Sequence, residues 1–278
     1  MDKHNLKELL RNISDNNFSV PQGTDPYELS LIILEFIGDT DSELRDDLIL
    51  TILSRWIDQA VLSAEQCSEL LKLALDQEHL FRGIGAAEDD TVFCRTFSVL
   101  VVALVIYRHR KEKFLAQSQV LSALAKVLEF YDKDKDVRGY VEGMGWAHGA
   151  AHGADALDEL ARCEEIGAEG LRSILSSIRK KVAVPYYGYI HLEDERMITA
   201  VKAVLERNIL SVEEAALWIR SFGNLRKTGI SHQDQVAECN ILLFLKSLYF
   251  RLLSESEHNN LITVVKEVIL QLGRFYKV

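Results

Sequence analysis

Apolar residues recur along this chain at intervals of three and four almost from end to end, and that spacing predicts helices. "DPYELSLIILEFIGD" (25–39) opens on an Asp-Pro start signal and closes near Gly38. "SELRDDLILTILSRWIDQ" (42–59) sets Leu48, Ile52 and Trp56 on one face at a spacing of four. The same periodicity predicts helices over 63–77, 89–110, 118–132, 167–182, 193–208, 211–222, 235–255 and 259–275, and one across "GWAHGAAHGAD" at 145–155. No segment alternates as a strand does; "VAVPYYGYI" (182–190) carries Pro185 and Gly188 and is expected to be a loop.

The helices come in pairs. A longer helix, a short connection and a second amphipathic helix recur, and the second helices open alike: "LSAEQ" at 62, "LAQSQ" at 115, "IGAEG" at 166 and "LSVEE" at 210. Spacings of 53, 51 and 44 residues are close to the period of HEAT-type hairpins, each of which buries its apolar face only by stacking on the next. The expected fold is therefore all-α, a HEAT-like α/α superhelix of stacked hairpins forming a single domain over 1–278, with a compact helical bundle as the competing architecture.

"GWAHGAAHGAD" is the stretch where chemistry is concentrated. On a helical wheel His152, Asp155 and Glu159 fall about 40°, −20° and 20° from His148, one narrow stripe. Trp146, Ala150, Leu157 and Leu160 fall on the opposite side, so the stripe is expected to face solvent or a groove. Two imidazoles at i and i+4 reach one ion, and an Asp one turn on serves as third ligand or orients a ring. His148, His152 and Asp155 are thus the candidate ligands of a divalent metal. The glutamate of a zinc-peptidase HExxH helix is missing. Solvated surface and a polar pocket without metal stay open as alternatives. Gly139, Gly143, Gly145, Gly149 and Gly153 cluster here, and glycine inside a helix is tolerated where a neighbouring backbone or a ligand comes close.

Four further residues join the groove candidates: Arg95, Glu142, Trp146 and Glu195. Arg95 interrupts an apolar helix and needs a partner if buried; Asp194 or Glu195 could pair with Arg95 or Arg138 across the groove. Asp89 and Asp90 stand at a helix start, where carboxylates cap. P-loop, G-x-G-x-x-G, G-x-S-x-G and CxxC patterns are absent.

Charge and composition narrow the function. A net charge of −10 with no basic run argues against nucleic acid. The most apolar stretch, 97–107, is too short to span a bilayer and reads as a buried core helix, so no membrane is expected. Cys67, Cys94, Cys163 and Cys239 are dispersed like the reduced thiols of a cytoplasmic protein.

Four blocks carry a family resemblance: "HLFRGIGAAEDDTVFCRTFSVLVVAL", "DVRGYVEGMGWAHGAAHGADALDELA", "IRKKVAVPYYGYIHLEDERMITAV" and "LSVEEAALWIRSF". They resemble the bacterial domain-of-unknown-function family 2785 from about residue 25 to the end, most specifically at GWAH-x3-HGAD. The resemblance implies a cytoplasmic bacterial protein with an all-helical, repeat-like array, and carries over no catalytic residue. The functional expectation is a groove that binds a protein segment or a small polar ligand. The alternative is a metal-dependent hydrolase in which His148, His152 and Asp155 hold the ion and Glu142, Glu159 or Glu195 acts as general base.

Overall fold

A computed structural model describes residues 1–224, 227–253 and 259–273. The chain is mostly helical. After α1 (Lys3–Asp15) and α2 (Pro26–Glu35), a π-helical segment (Glu43–Leu50) runs directly into α3 (Thr51–Asp58). Then come α4 (Ala64–Ala74), α5 (Thr91–Lys111), α6 (Gln117–Lys133), α7 (Gly149–Ala161), α8 (Ala168–Val182), α9 (Glu193–Glu206), α10 (Val212–Arg220), α11 (Ser231–Leu253) and α12 (Asn259–Leu272). Residues 254–255 and 274–275, at the ends of the last two expected helices, lie outside the described residues.

Each repeated opening signal begins a helix, and two of the four cap it with a side chain. Ser63 and Ser211 accept from the backbone N–H groups of Gln66 and Glu214, whose side chains reach back to the cap, a reciprocal box that satisfies otherwise orphaned donors. The odd-numbered helices form one row, α3 on α5, α5 on α7, α7 on α9 and α9 on α11. The second helices stack beside it, α4 on α5, α6 on α7 and α8, α8 on α9, and α10 on α12. Leu48, Ile52 and Trp56 are buried as their spacing predicts; among the described residues most buried apolar side chains join one cluster from Leu6 to Val268, and Val92, Phe93 and Ala147 form a smaller second one.

The second helix of the row, α5, is largely enclosed. By length and composition α5 could cross a membrane, yet 78% of its apolar window is buried inside the fold. Within it Arg95 is fully buried, and its two terminal nitrogens bond Asp134 at 3.0 Å, the Arg82 carbonyl and the Thr91 hydroxyl, while its Nε has no partner. The expected pairing of Arg95 or Arg138 with Asp194 or Glu195 is therefore corrected. Arg138 holds Asp136, Asp194 accepts from Ser247, and Glu195 pairs with Arg251. Buried charges take the nearest counter-charge that desolvates with them, and here that partner comes from the end of α6.

Candidate functional site

The expectation of one helix across 145–155 is corrected. Gly143 and Gly145 adopt left-handed backbone (φ 76° and 82°), which turns the chain into a short hairpin, β1 (Tyr140–Val141) against antiparallel β2 (Gly145–Trp146). His148 is itself left-handed (φ 52°) and forms the N-cap of α7. Trp146 is thus a strand residue, and its indole, 38% exposed, stacks on the His148 ring with centroids 4.7 Å apart. The wheel also misplaces His152. Its ring is buried edge-on against Phe97, because α7 lies between α5, α6 and α9 and buries nearly its whole circumference. Gly149 and Gly153 make that enclosure possible, the first packed on Asp134, Asp136 and Thr96, the second on the Tyr131 ring.

The hairpin is held from beneath by an arginine that sequence reasoning passed over. Arg45 is fully buried between Phe93 and Phe97, pairs with Asp46, and donates to the carbonyls of Asp39 and Met144. Burial pushes the Asp46 carboxyl up to about 6 despite this partner. The signal was an arginine at a position where the helical pattern runs apolar.

A second loop meets the hairpin. Asn240 of α11 bonds the backbone of Val184, Tyr187 and Tyr189 and so fixes the segment leading to α9. Leu192 is left-handed (φ 63°) and starts α9 as His148 starts α7. Between these two strained starts the His148 Nε2 lies 3.1 Å from the His191 carbonyl oxygen and 3.7 Å from Glu193 Oε1. The His191 Nδ1 is 3.8 Å from the same Oε1. Glu193 Oε2 accepts from the His191 backbone, but Oε1 has no hydrogen-bond partner, nor have the Nδ1 atoms of His191 and His152. Burial drives the His148 imidazole down to about 4 and His152 well below its ordinary value, and it raises the Glu193 carboxyl. Around this polar knot Tyr140, Tyr186, Ile190 and Leu192 are exposed. Sequence reasoning missed His191 and Glu193; a His-x-Glu at a helix start was the available signal.

Asp155 does not face this cluster. It lies about 10 Å further along α7 by helical rise, with both carboxylate oxygens held by Arg196. Glu142 sits exposed in the hairpin turn. Among the described residues, no group of three His, Cys, Asp or Glu side chains stands ready to hold a metal ion.

Asp155 instead lines a cavity of about 490 Å³ between α3, α5, α7 and α9. Its apolar wall is Leu50, Leu100, Ala103, Leu104 and Tyr107, and its polar rim adds Thr51, Ser54, Arg55, Asp158, Glu159 and Arg196. Each acid there is already bonded by an arginine: Asp155 by Arg196, Asp158 by Arg162 and Glu159 by Arg110. Burial raises all three carboxyls against the pull of these partners. Arg55, by contrast, is exposed and pairs with no carboxylate among the described residues; its guanidinium rests 5.5 Å from the Phe18 ring centroid. His148 and His152 do not line this cavity.

No curated protein and no solved structure matches the chain. The model of the family described as a protein of unknown function, DUF2785, matches residues 80–250, more than half of the 278, and the chain belongs to that family.

Proposed function

We propose that this chain is a ligand-binding protein. Its helix pairs form a HEAT-like superhelix working as one unit over 1–278, and its α3/α5/α7/α9 groove takes a small amphipathic carboxylate. The superhelix reading is supported by polar contacts that repeat at one hairpin's distance along the chain. Gln119 bonds Ser68, Trp218 bonds the Leu175 carbonyl and Arg207 bonds the Ile166 carbonyl, at separations of 51, 43 and 41 residues. A cytoplasmic setting is supported by the four free thiols.

The ligand chemistry rests on one observation: the groove's acids are neutralised by arginines while Arg55 is left without a carboxylate. A guanidinium binds a carboxylate bidentately, and the hydroxyl of Ser54 on the same helix face adds a donor. Leu100, Ala103, Leu104 and Tyr107 would cover an apolar body. The volume lies within the ~300–1,000 Å³ of small-molecule sites. At contact range this unpaired cation outweighs the −10 net charge, which salt screens beyond ~8 Å.

The test is a thermal-shift and calorimetric comparison of octanoate and phenylacetate with octylamine and phenethylamine. The carboxylates are expected to bind and the amines not, and Arg55→Met is expected to weaken carboxylate binding by about tenfold or more. A short peptide presenting a free C-terminal carboxylate behind apolar residues distinguishes a protein segment from a free acid. Equal binding of acids and amines, or binding indifferent to Arg55→Met, would contradict the reading.

The metal-dependent hydrolase on His148, His152 and Asp155 has less support, since Arg196 occupies both Asp155 oxygens and burial against Phe97 encloses His152.

A further inference from the structure

Exposed apolar side chains collect at one edge of the array, where α5, α7 and α9 begin. Ile190 is 77% exposed and Leu192 68%, and Tyr140, Trp146 and Tyr186 are exposed beside them. Contacts join these residues into one surface. The Trp146 ring centroid lies 5.2 Å from that of Tyr140 and 5.5 Å from that of His191, the residue between Ile190 and Leu192. Gly139 donates to the Tyr187 hydroxyl, next to Tyr186. Arg138, at the foot of the hairpin, donates to the Asp89 carbonyl and so ties in the loop before α5. Contiguous exposed apolar surface with a polar rim is the mark of an interaction site.

The surface is held on a rigid support. Arg45 fixes the hairpin through the Met144 carbonyl, and Asn240 fixes the loop that ends at Ile190. The His148 ring stacks on one face of the Trp146 indole and leaves its exposed part on the other. Aromatic side chains ordered in advance lose little freedom when a partner covers them.

Charge selects the occupant. Asp89 is engaged in capping α5, accepting from the Thr91 N–H, but Glu88, Asp90 and Glu142 are exposed and in no ion pair among the described residues. Of the cations in the same loops, Arg138 is bound to Asp136, and the exposed Arg82 and Lys135 are outnumbered by the acids. This rim, on a chain of net charge −10, repels nucleic acid, anionic lipid and a second copy of the same edge. It attracts a cation, and the Tyr140 and Trp146 rings offer π faces to a guanidinium or ammonium. Ile190 and Leu192, at the opposite end, call for aliphatic contact.

We propose that this edge docks a short protein segment that is basic at one end and aliphatic at the other. Its Lys or Arg side chains lie over Tyr140, Trp146 and the acids, and its aliphatic side chains rest on Ile190 and Leu192. The edge is separate from the carboxylate groove, since none of its residues lines that cavity.

The test is fluorescence anisotropy of full-length protein with a labelled peptide, lysines and arginines in its first half and leucines and isoleucines in its second. Its counterpart replaces the basic half with glutamates and aspartates. The basic peptide is expected to bind, more weakly as salt is raised, and the acidic one not. Trp146→Ala and Ile190→Ser are each expected to weaken binding about tenfold. Reversing two acids, Glu88→Lys with Glu142→Lys, is expected to weaken it and flatten the salt dependence. Leu121→Ser and Leu217→Ser, exposed on α6 and α10, are expected to leave it unchanged, as is Arg55→Met. Urea midpoints report folding, and Ile190→Ser, at an exposed loop position, is expected to match the wild type. No binding of the basic peptide at millimolar concentration, equal binding of the acidic one, or binding undiminished in Ile190→Ser overturns the proposal. So does a dimer in sedimentation that Ile190→Ser dissolves, or binding to anionic vesicles, since either gives the edge another occupant. None of these results bears on the carboxylate groove, whose test depends on Arg55.

Discussion

His148 and His191 are joined ring to backbone: the His148 Nε2 lies 3.1 Å from the His191 carbonyl oxygen, tying the residue before α7 to the turn that starts α9. Burial holds this ring neutral, aided by the charges of Arg196 and His191 and opposed by the hydrogen bond to the His191 carbonyl.

That neutrality sets a pH dependence. The His148 pKa is pushed from its ordinary 6.5 down to about 4. As pH falls below 6.5 the unfolded chain takes up a proton here and the folded chain does not. The ring's contribution is therefore whole above pH 6.5 and is lost as pH falls through 4, at most roughly 3 kcal/mol. His148→Asn removes the titrating ring and keeps a residue that tolerates left-handed backbone. In EDTA, urea unfolding of the wild type is expected to weaken more steeply across this range than that of the variant. Parallel profiles would locate the acid sensitivity elsewhere.

Gly153 separates packing from helix propensity. Alanine is favoured over glycine in a helix by ~1 kcal/mol, yet a Cβ at Gly153 would collide with the Tyr131 ring. Gly153→Ala is expected to destabilise by about 1–3 kcal/mol in urea titration, the range of overpacked cores. Gly167→Ala, where no atom lies within 4 Å of the added carbon, is expected to be near neutral. A stabilised Gly153→Ala would mean α7 is less tightly enclosed than its contacts indicate.

The Arg95–Asp134 pair supports the core rather than any ligand. Asp134→Asn leaves Arg95 buried without its counter-charge and is expected to destabilise by roughly 3–5 kcal/mol. It is expected to leave octanoate affinity unchanged at temperatures where the variant is folded. Lost binding in folded protein would place Arg95 in the site.

Arg207 links successive hairpins, donating to the carbonyls of Ala161, Cys163 and Ile166. Arg207→Met is expected to lower stability by about 1.5–3 kcal/mol, read as a shift of the denaturant midpoint. An unshifted midpoint would mean these carbonyls are equally well served by water.

Most helices were legible in the sequence because each carries its own information. Ser63 with Gln66 and Ser211 with Glu214 are local capping signals, and Leu48, Ile52 and Trp56 show the buried face directly. The GWAH block was misjudged because periodicity counts apolar positions and is blind to backbone sign. Gly143 and Gly145 turn the chain before α7 begins, so a wheel drawn through Trp146 and His148 describes a helix that is not there. It also assumed a solvent side for α7, whereas two glycines admit Tyr131 and Asp134 and leave His152 enclosed. The convergence of His191 and Glu193 on His148 depends on Asn240 holding a loop 51 residues away, from Asn240 Oδ1 to the Tyr189 N–H, and long-range anchoring of that kind has no local signature.

The central claim is that the α3/α5/α7/α9 groove binds a carboxylate through Arg55. Methyl-selective NMR of full-length protein titrated with octanoate tests it most directly. The account predicts saturable shifts at Leu50, Leu100, Ala103 and Leu104, lost in Arg55→Met. Shifts centred instead on the exposed Ile190 and Leu192, or unchanged spectra, would contradict it.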